Sequence, residues 1–294
     1  MADVRNITCH TQTGEDSSNR PLVTFVIAVH NADRNLQRCF DSIYRQTFNL
    51  WEIVVVDGGS IDGTTDIIRR NTNQIAFWVS EPDSGIYDAW NKALKHCTGE
   101  WIHFLGADDY LWDEWVLERI AHPLSNQNNS TRIIYGKVKV VDIYDRVIQT
   151  EGRPWESIGT KFLQEMTIPH QGVFHHFSLF AERQFDVHFQ YAGDYEFLLP
   201  LVHSAPPLFV DQVIAAWTLG GVSSSPHRAI AVLREMQQAR MKNNITSPLP
   251  IWLFAKAWLK LFLWNLFGDG VLNRAVDIYR VITLRPRCHR SFIK

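Results

Sequence analysis

Apolar residues fall in short runs of strand length, each followed by a polar turn and then by apolar positions at helical spacing. Leu22 to His30 (LVTFVIAVH) is the first such run, and beyond it Leu36, Phe40 and Ile43 mark the inward face of a helix that Asn31-Ala32-Asp33 can cap. Glu52 to Val56 is a second strand, closed by the turn Asp57-Gly58-Gly59-Ser60 and followed by a short helix from Thr64 to Arg70. Ile75 to Val79, a helix near Ile86 to Lys95, and Trp101 to Leu105 continue the alternation. This order predicts an α/β fold with a mostly parallel central sheet and right-handed crossovers.

The pattern changes after the polar stretch Ser125 to Thr131. Ile133 to Ile148 has the form of a hairpin turning at Asp145-Arg146, a helix starts near Asp194, Val213 to Thr218 is strand-like, and Pro226 opens a helix running to about Asn243. The expected organisation is a polar, disordered lead over residues 1–20, one domain over 21–225 divided near 125, and a helical extension over 226–294. With 46% apolar and 20% charged residues, the chain is globular. Cys9, Cys39, Cys97 and Cys288 show no paired spacing, which predicts reduced thiols in a cytosolic setting. The N-terminus lacks the basic start and apolar run of an export signal.

Candidate chemistry clusters at the predicted strand ends. Trp101 to Leu105 delivers Asp108 and Asp109, and neighbouring carboxylates there are relieved by a divalent cation that bridges them to phosphate; a helix cap with a solvated neighbour is the competing reading. The turn Asp57 to Thr64 (DGGSIDGT) lets backbone approach a ligand while Asp57 and Asp62 offer acceptors, although a plain tight turn would use the same residues. Neither a dinucleotide fingerprint nor a P-loop is present, which argues against both a Rossmann dehydrogenase and a P-loop NTPase. Glu81 to Asn91 (EPDSGIYDAWN) places Asp83, Tyr87, Asp88 and Asn91 around a helix start fixed by Pro82 and Gly85. A zinc site at His170, His175 and His176 is disfavoured, since no helical i, i+4 pair or cysteine partner accompanies them.

Taken in order, VIAVHN, VVVDGGSIDGT, SEPDSGIYDAWNKAL, GEWIHFLGADD, PHQGVF, AGDYEFLL and GGVSS resemble the family 2 glycosyltransferases of GT-A fold, closest to the bacterial branch serving exopolysaccharide, capsule or O-antigen assembly. The resemblance implies helices on both faces of the sheet. It also implies a nucleotide-sugar donor site built from Val29, Asn31, Asp57, Gly58, Ser60, Asp83, Gly85, Asp88, Asn91 and Asp108, in which Asp57 holds the base and Asp108 the ribose. Asp109 would hold Mn2+ or Mg2+. Asp194 would be the base of an inverting transfer, with Glu196 as its helical neighbour, His170 and Gln171 facing the site, and Gly221 and Ser223 in a loop closing over the diphosphate. Gly106 stands where the family's Asp-x-Asp pattern has its first acid. That departure leaves open a degenerate transferase retained as a membrane assembly partner. A sugar-nucleotide pyrophosphorylase would need a Gly-rich, basic N-terminal loop, which VIAVHNADRN does not supply. The nearest string to the Gln-x-x-Arg-Trp of processive synthases is Gln237 to Met241, without the tryptophan, so single-sugar transfer is expected.

Charge is unevenly distributed. Residues 228–294 hold twelve Lys/Arg against three Asp/Glu, a net +9, which leaves −11 for the first 227 residues. Ile251 to Phe267 (IWLFAKAWLKLFLWNLF) is apolar around most of a helix but spans only ~25 Å against a ~30 Å hydrocarbon core. With its aromatics in one block beside basic residues, it predicts a helix lying in an anionic membrane surface rather than contact with nucleic acid. The expected location is cytoplasmic, at the inner face of the plasma membrane, with a glycan or polyprenyl-diphosphate-linked acceptor. A buried docking helix and a true span are the alternatives.

Overall fold

The first strand sits at the centre of the parallel half of the sheet because its side chains are apolar on both faces. In the computed structural model, which describes residues 20–126, 131–142, 144–218 and 228–282 with side chains to 266, β1 (Val23–Val29) pairs in parallel with β2 (Trp51–Asp57) on one side and β4 (Trp101–Phe104) on the other; β3 (Phe77–Ser80) extends the sheet beyond β2. Val26, Val54, Val56, Ile102 and Phe104 face one core, and Phe25, Ile27, Ile53, Val55 and Trp101 face the other. The period of two in a strand buried on both sides explains why these segments read as continuous apolar runs.

Helices cover both faces. α1 (Leu36–Tyr44), α2 (Thr64–Arg70) and α4 (Val116–Ser125) pack on the second core, and α3 (Ile86–Leu94) on the first. The α1 start differs from the sequence expectation: the helix begins at Leu36 with Asn35 as its cap residue. Asn31 instead takes a left-handed φ of 50°, and its amide oxygen accepts the Ile61 N–H at 3.0 Å, so it serves the loop rather than the helix. β3 also starts two residues later than predicted, because Ile75 still bonds back into the 3-10 turn at Thr72–Gln74.

The other half of the sheet is mixed. Its order continues β4–β8–β6–β9–β5, where β5 is Tyr110–Leu111, β6 Ile133–Val141, β8 Val173–His176 and β9 Leu208–Thr218; β7 (Val147–Glu151) pairs with β6 as the predicted hairpin, with Asp145 at φ 58° in its turn. β8 runs antiparallel between β4 and β6, while β6 and β9 are parallel. The parallel expectation therefore holds for β1 to β4, and the second half takes both directions. α5 (Trp155–Phe162), the short α6 (Leu179–Glu182), α7 (Gly193–Ser204), α8 (Ala229–Lys242) and α9 (Ile251–Ile282) complete the chain, and α7, α8 and the start of α9 pack on the first core.

Candidate active site

The parallel strands β1, β2 and β4 end together, so the loops after them gather at one edge of the sheet, where α/β folds bind ligands. Asp57, the last residue of β2, is fully buried. Its Oδ2 accepts the Ser60 N–H at 3.0 Å and the Ser80 hydroxyl at 2.6 Å, and its Oδ1 accepts the Ser60 hydroxyl. A carboxylate offers about four acceptor positions, so Oδ1 keeps capacity for a ligand donor. The Ser60 oxygen in turn accepts the Asn31 N–H at 2.8 Å, and Gly58 N–H donates to Val29 O at 2.9 Å.

Asp83 closes the far side of this pocket edge. A Cβ on Gly58 would lie 2.5 Å from Asp83 Oδ2, so only glycine lets the carboxylate come this near the β2 loop. Asp83 Oδ1 accepts the N–H of Gly85, whose φ of 130° suits glycine alone. Val29, Asn31, Asp57, Gly58, Ser60, Asp83 and Gly85 are thus brought together. Asp88 and Asn91 are engaged elsewhere: Asp88 accepts the Ser84 N–H at 3.0 Å and pairs with Lys92, and the Asn91 amide bonds both backbone groups of Phe185, at 2.8 and 3.0 Å.

After β4 the chain turns at Leu105 to Asp109. A Cβ on Gly106 would lie 2.5 Å from Asp109 Oδ2 and 3.0 Å from Asp108 Oδ1, so the two carboxylates converge above that glycine. Burial, reinforced by the Asp108 charge, pushes the Asp109 carboxyl well above the usual carboxylate range; Arg38 and a hydrogen bond to Gln171 act the other way. Arg38 fixes the surrounding loops, donating to Asp108 O at 3.2 Å and Asp145 Oδ1 at 2.8 Å while its guanidinium lies 4.4 Å from the Tyr110 ring centre. These groups fit a divalent cation: two convergent carboxylates, one of them buried where its charge lacks a full complement. No group of three or more His, Cys, Asp and Glu assembles among the described residues, so the protein supplies only part of a coordination shell.

Asp194 lies in the first turn of α7. Its Oδ1 is 3.4 Å from the Tyr87 hydroxyl, whose pKa burial raises well above normal, keeping the phenol neutral and a donor. Tyr87 reaches it because Gly193 has no side chain; a Cβ there would sit 2.7 Å from the ring. His170 is half-buried, stacked on Trp90 with ring centres 5.1 Å apart, and neutral because desolvation lowers its pKa against the opposing pull of Asp194. His170 and Gln171 share one 3-10 turn (His170–Gly172), and Gln171 hydrogen-bonds Asp109.

Glu196, two residues after Asp194 in α7, does not face solvent. It is fully buried, and its Oε1 pairs with Arg183 at 2.8 Å and Lys242 at 3.1 Å, which ties α7 to α8. Glu235 of α8 makes a second tie that local sequence does not reveal: its carboxylate accepts the N–H groups of Gln190, Tyr191 and Ala192 at 3.0, 2.7 and 2.9 Å, holding the loop that leads into Asp194. Gly221 and Ser223 lie outside the described residues.

Comparison with known proteins agrees with this geometry. The model of the family "Glycosyl transferase family 2" matches residues 24–188. A PGL/p-HBAD biosynthesis glycosyltransferase of Mycobacterium bovis is 29% identical over 277 residues, covering 91% of this chain and 98% of its own. Among solved structures, S. aureus TarS in complex with UDP-GlcNAc superposes with a TM-score of 0.58 at 16% identity, over 88% of this chain and 77% of that one. Mannosyltransferase PcManGT from Pyrobaculum calidifontis, in complex with GDP-Man and Mn2+, gives 0.57 at 18%, over 92% and 83%. At such identities these two establish the α/β, GT-A-like fold. With the family pattern running from β1 to the loop before α7 and the paired carboxylates at the end of β4, the chain belongs to glycosyl transferase family 2 and is a glycosyltransferase.

Proposed function

We propose that this enzyme transfers one sugar, with inversion, from a UDP-sugar to a glycan or polyprenyl-linked acceptor in cell-surface polysaccharide assembly. The observation that carries the reading is the convergence of Asp108 and Asp109 above Gly106 at the end of β4, beside a second carboxylate, Asp194, that the Tyr87 hydroxyl meets at 3.4 Å. Asp57, with an acceptor position free on Oδ1, would hold the donor's base, and Asp108 its ribose.

Asp194 takes the proton from the acceptor hydroxyl as that oxygen attacks the anomeric carbon; the new C–O bond forms on the face opposite the breaking bond, whose electron pair leaves with the nucleoside diphosphate. Tyr87 orients the base through its hydroxyl. Asp109 would hold Mn2+ or Mg2+, which when bound offsets the charge of the departing diphosphate. Support for a metal and a nucleotide sugar comes from PcManGT, solved with GDP-Man and Mn2+, and from TarS, solved with UDP-GlcNAc.

Calorimetric titration with UDP, GDP and dTDP, with and without Mn2+, tests the reading. Mn2+-dependent binding of UDP is expected, lost in Asp109→Ala and kept in Asp194→Asn, which abolishes transfer. No binding of any of the three nucleotides would overturn the assignment of a UDP-sugar donor to this site.

A further inference from the structure

The apolar block at the start of α9 has two faces rather than one. Leu253 and Phe254 pack against the core that also receives α8, and Ala257 is buried. On the other side Ile251 is 85% exposed and Trp252, Trp258, Leu259, Phe262 and Leu266 are 55–58% exposed. At about 100° per residue these six positions fall within an arc of roughly 120°, one continuous apolar stripe. A soluble surface scatters large apolar side chains singly; a stripe of six on one helix marks an interaction site.

The chemistry of the stripe selects its partner. Two tryptophans lie within it, and tryptophan favours the headgroup level of a bilayer, where its ring is part apolar and part wet. Lys256 is exposed along one edge, and residues 251–266 contain no acidic side chain. Residues 228–294 carry +9 while the rest of the chain carries −11, so the stripe belongs to the basic part of the sequence. No helix among the described residues is long and apolar enough to cross a membrane. We infer that the outer face of α9 docks the enzyme in the plane of an anionic lipid surface, with its exposed tryptophans at the headgroups and Lys256 on phosphate. From α9 the contact passes to α8, and from Glu235 of α8 to the loop that leads into Asp194, so the docked element is coupled to the end of the molecule that would receive a lipid-linked acceptor. Lipid binding rests on the surface alone, whereas the benefit for a lipid-linked acceptor rests on the proposed reaction.

The test is flotation of the full chain with phosphatidylglycerol-containing vesicles and with pure phosphatidylcholine vesicles, beside Trp258→Glu/Phe262→Glu. Both side chains are solvent-exposed, so the variant should keep its thermal midpoint and its nucleotide binding. Wild-type protein is expected to float with the anionic vesicles at least roughly tenfold better than with the zwitterionic ones. The variant should lose partitioning by roughly a hundredfold, the effect of withdrawing two large apolar side chains. Failure of the wild type to float with either vesicle, or equal flotation by the variant, would overturn the inference. A stable dimer that the variant converts to monomer, without vesicle binding by either protein, would overturn it in favour of a second copy on the same face. Nucleotide titration and flotation are separate readouts, so failure of one leaves the other interpretable.

Discussion

Gly106→Ala probes the paired-carboxylate loop with the smallest available change. The added methyl would sit 2.5 Å from Asp109 Oδ2, 3.1 Å from Asp109 Cγ and 3.0 Å from Asp108 Oδ1, against a comfortable separation of about 3.5 Å. Relief requires the carboxylates to move by about 1 Å, and Asp109 is only 6% exposed, so it must push into packed surroundings or leave its Gln171 contact. Overpacking of this kind costs about 1–3 kcal/mol. Disturbing the groups that orient a metal ligand weakens the site by roughly 10–100-fold. Calorimetry should therefore record Mn2+-dependent UDP binding weakened by that factor, and scanning calorimetry a melting temperature lower by a few degrees. Gly106→Asp, which restores the family's acid, should bind no better than Gly106→Ala, since it brings the same methylene to the same place. Wild-type affinity in Gly106→Ala would show that the two carboxylates do not converge above this glycine, and the assignment of the cation to them would fall with it.

Two further perturbations address the same site from other directions. Burial and the neighbouring Asp108 hold the Asp109 carboxyl well above its usual pKa, so the folded protein binds that proton more tightly than the unfolded chain; the associated stability is complete below the ordinary carboxylate range and is lost as pH rises through the raised value. Asp109→Asn should flatten that part of the pH–stability curve and raise the melting temperature at neutral pH while abolishing Mn2+-dependent binding, and an unchanged pH slope would contradict the buried, proton-binding state of this side chain. Glu235→Ala removes the acceptor for three successive backbone N–H groups, a loss of about 2 kcal/mol by denaturant titration because the side chain is half-buried and water replaces part of it. Its turnover should fall with donor affinity unchanged, since the loop it holds leads to Asp194 and not to Asp57, and a proportional loss of donor binding would argue against that division.

What the amino-acid sequence disclosed depended on how far apart the interacting residues lie. β1, β2 and β4 were legible because burial on both faces leaves unbroken apolar runs, a signal contained within each strand. The donor edge was legible for a related reason: Asp57, Ser60 and Gly58 act within one turn, and Asp83 and Gly85 within another. β8 went unread because its residues, Val-Phe-His-His, include a fully buried histidine that breaks the apolar pattern expected of an interior strand. Tyr87 and Asp194 meet across 107 residues, as do Arg38 and Asp145, and no local spacing encodes such encounters. The buried state of Glu196 was hidden for the same reason, since it is set by Arg183 and by Lys242 from a different helix. α9 shows the limit most clearly. Its sequence is apolar nearly all round, and only the position of α8 divides that circumference into a face already covered and a face still open. Periodicity reports that a helix has apolar surface to bury; the neighbouring elements decide how much of it remains for a partner outside the chain.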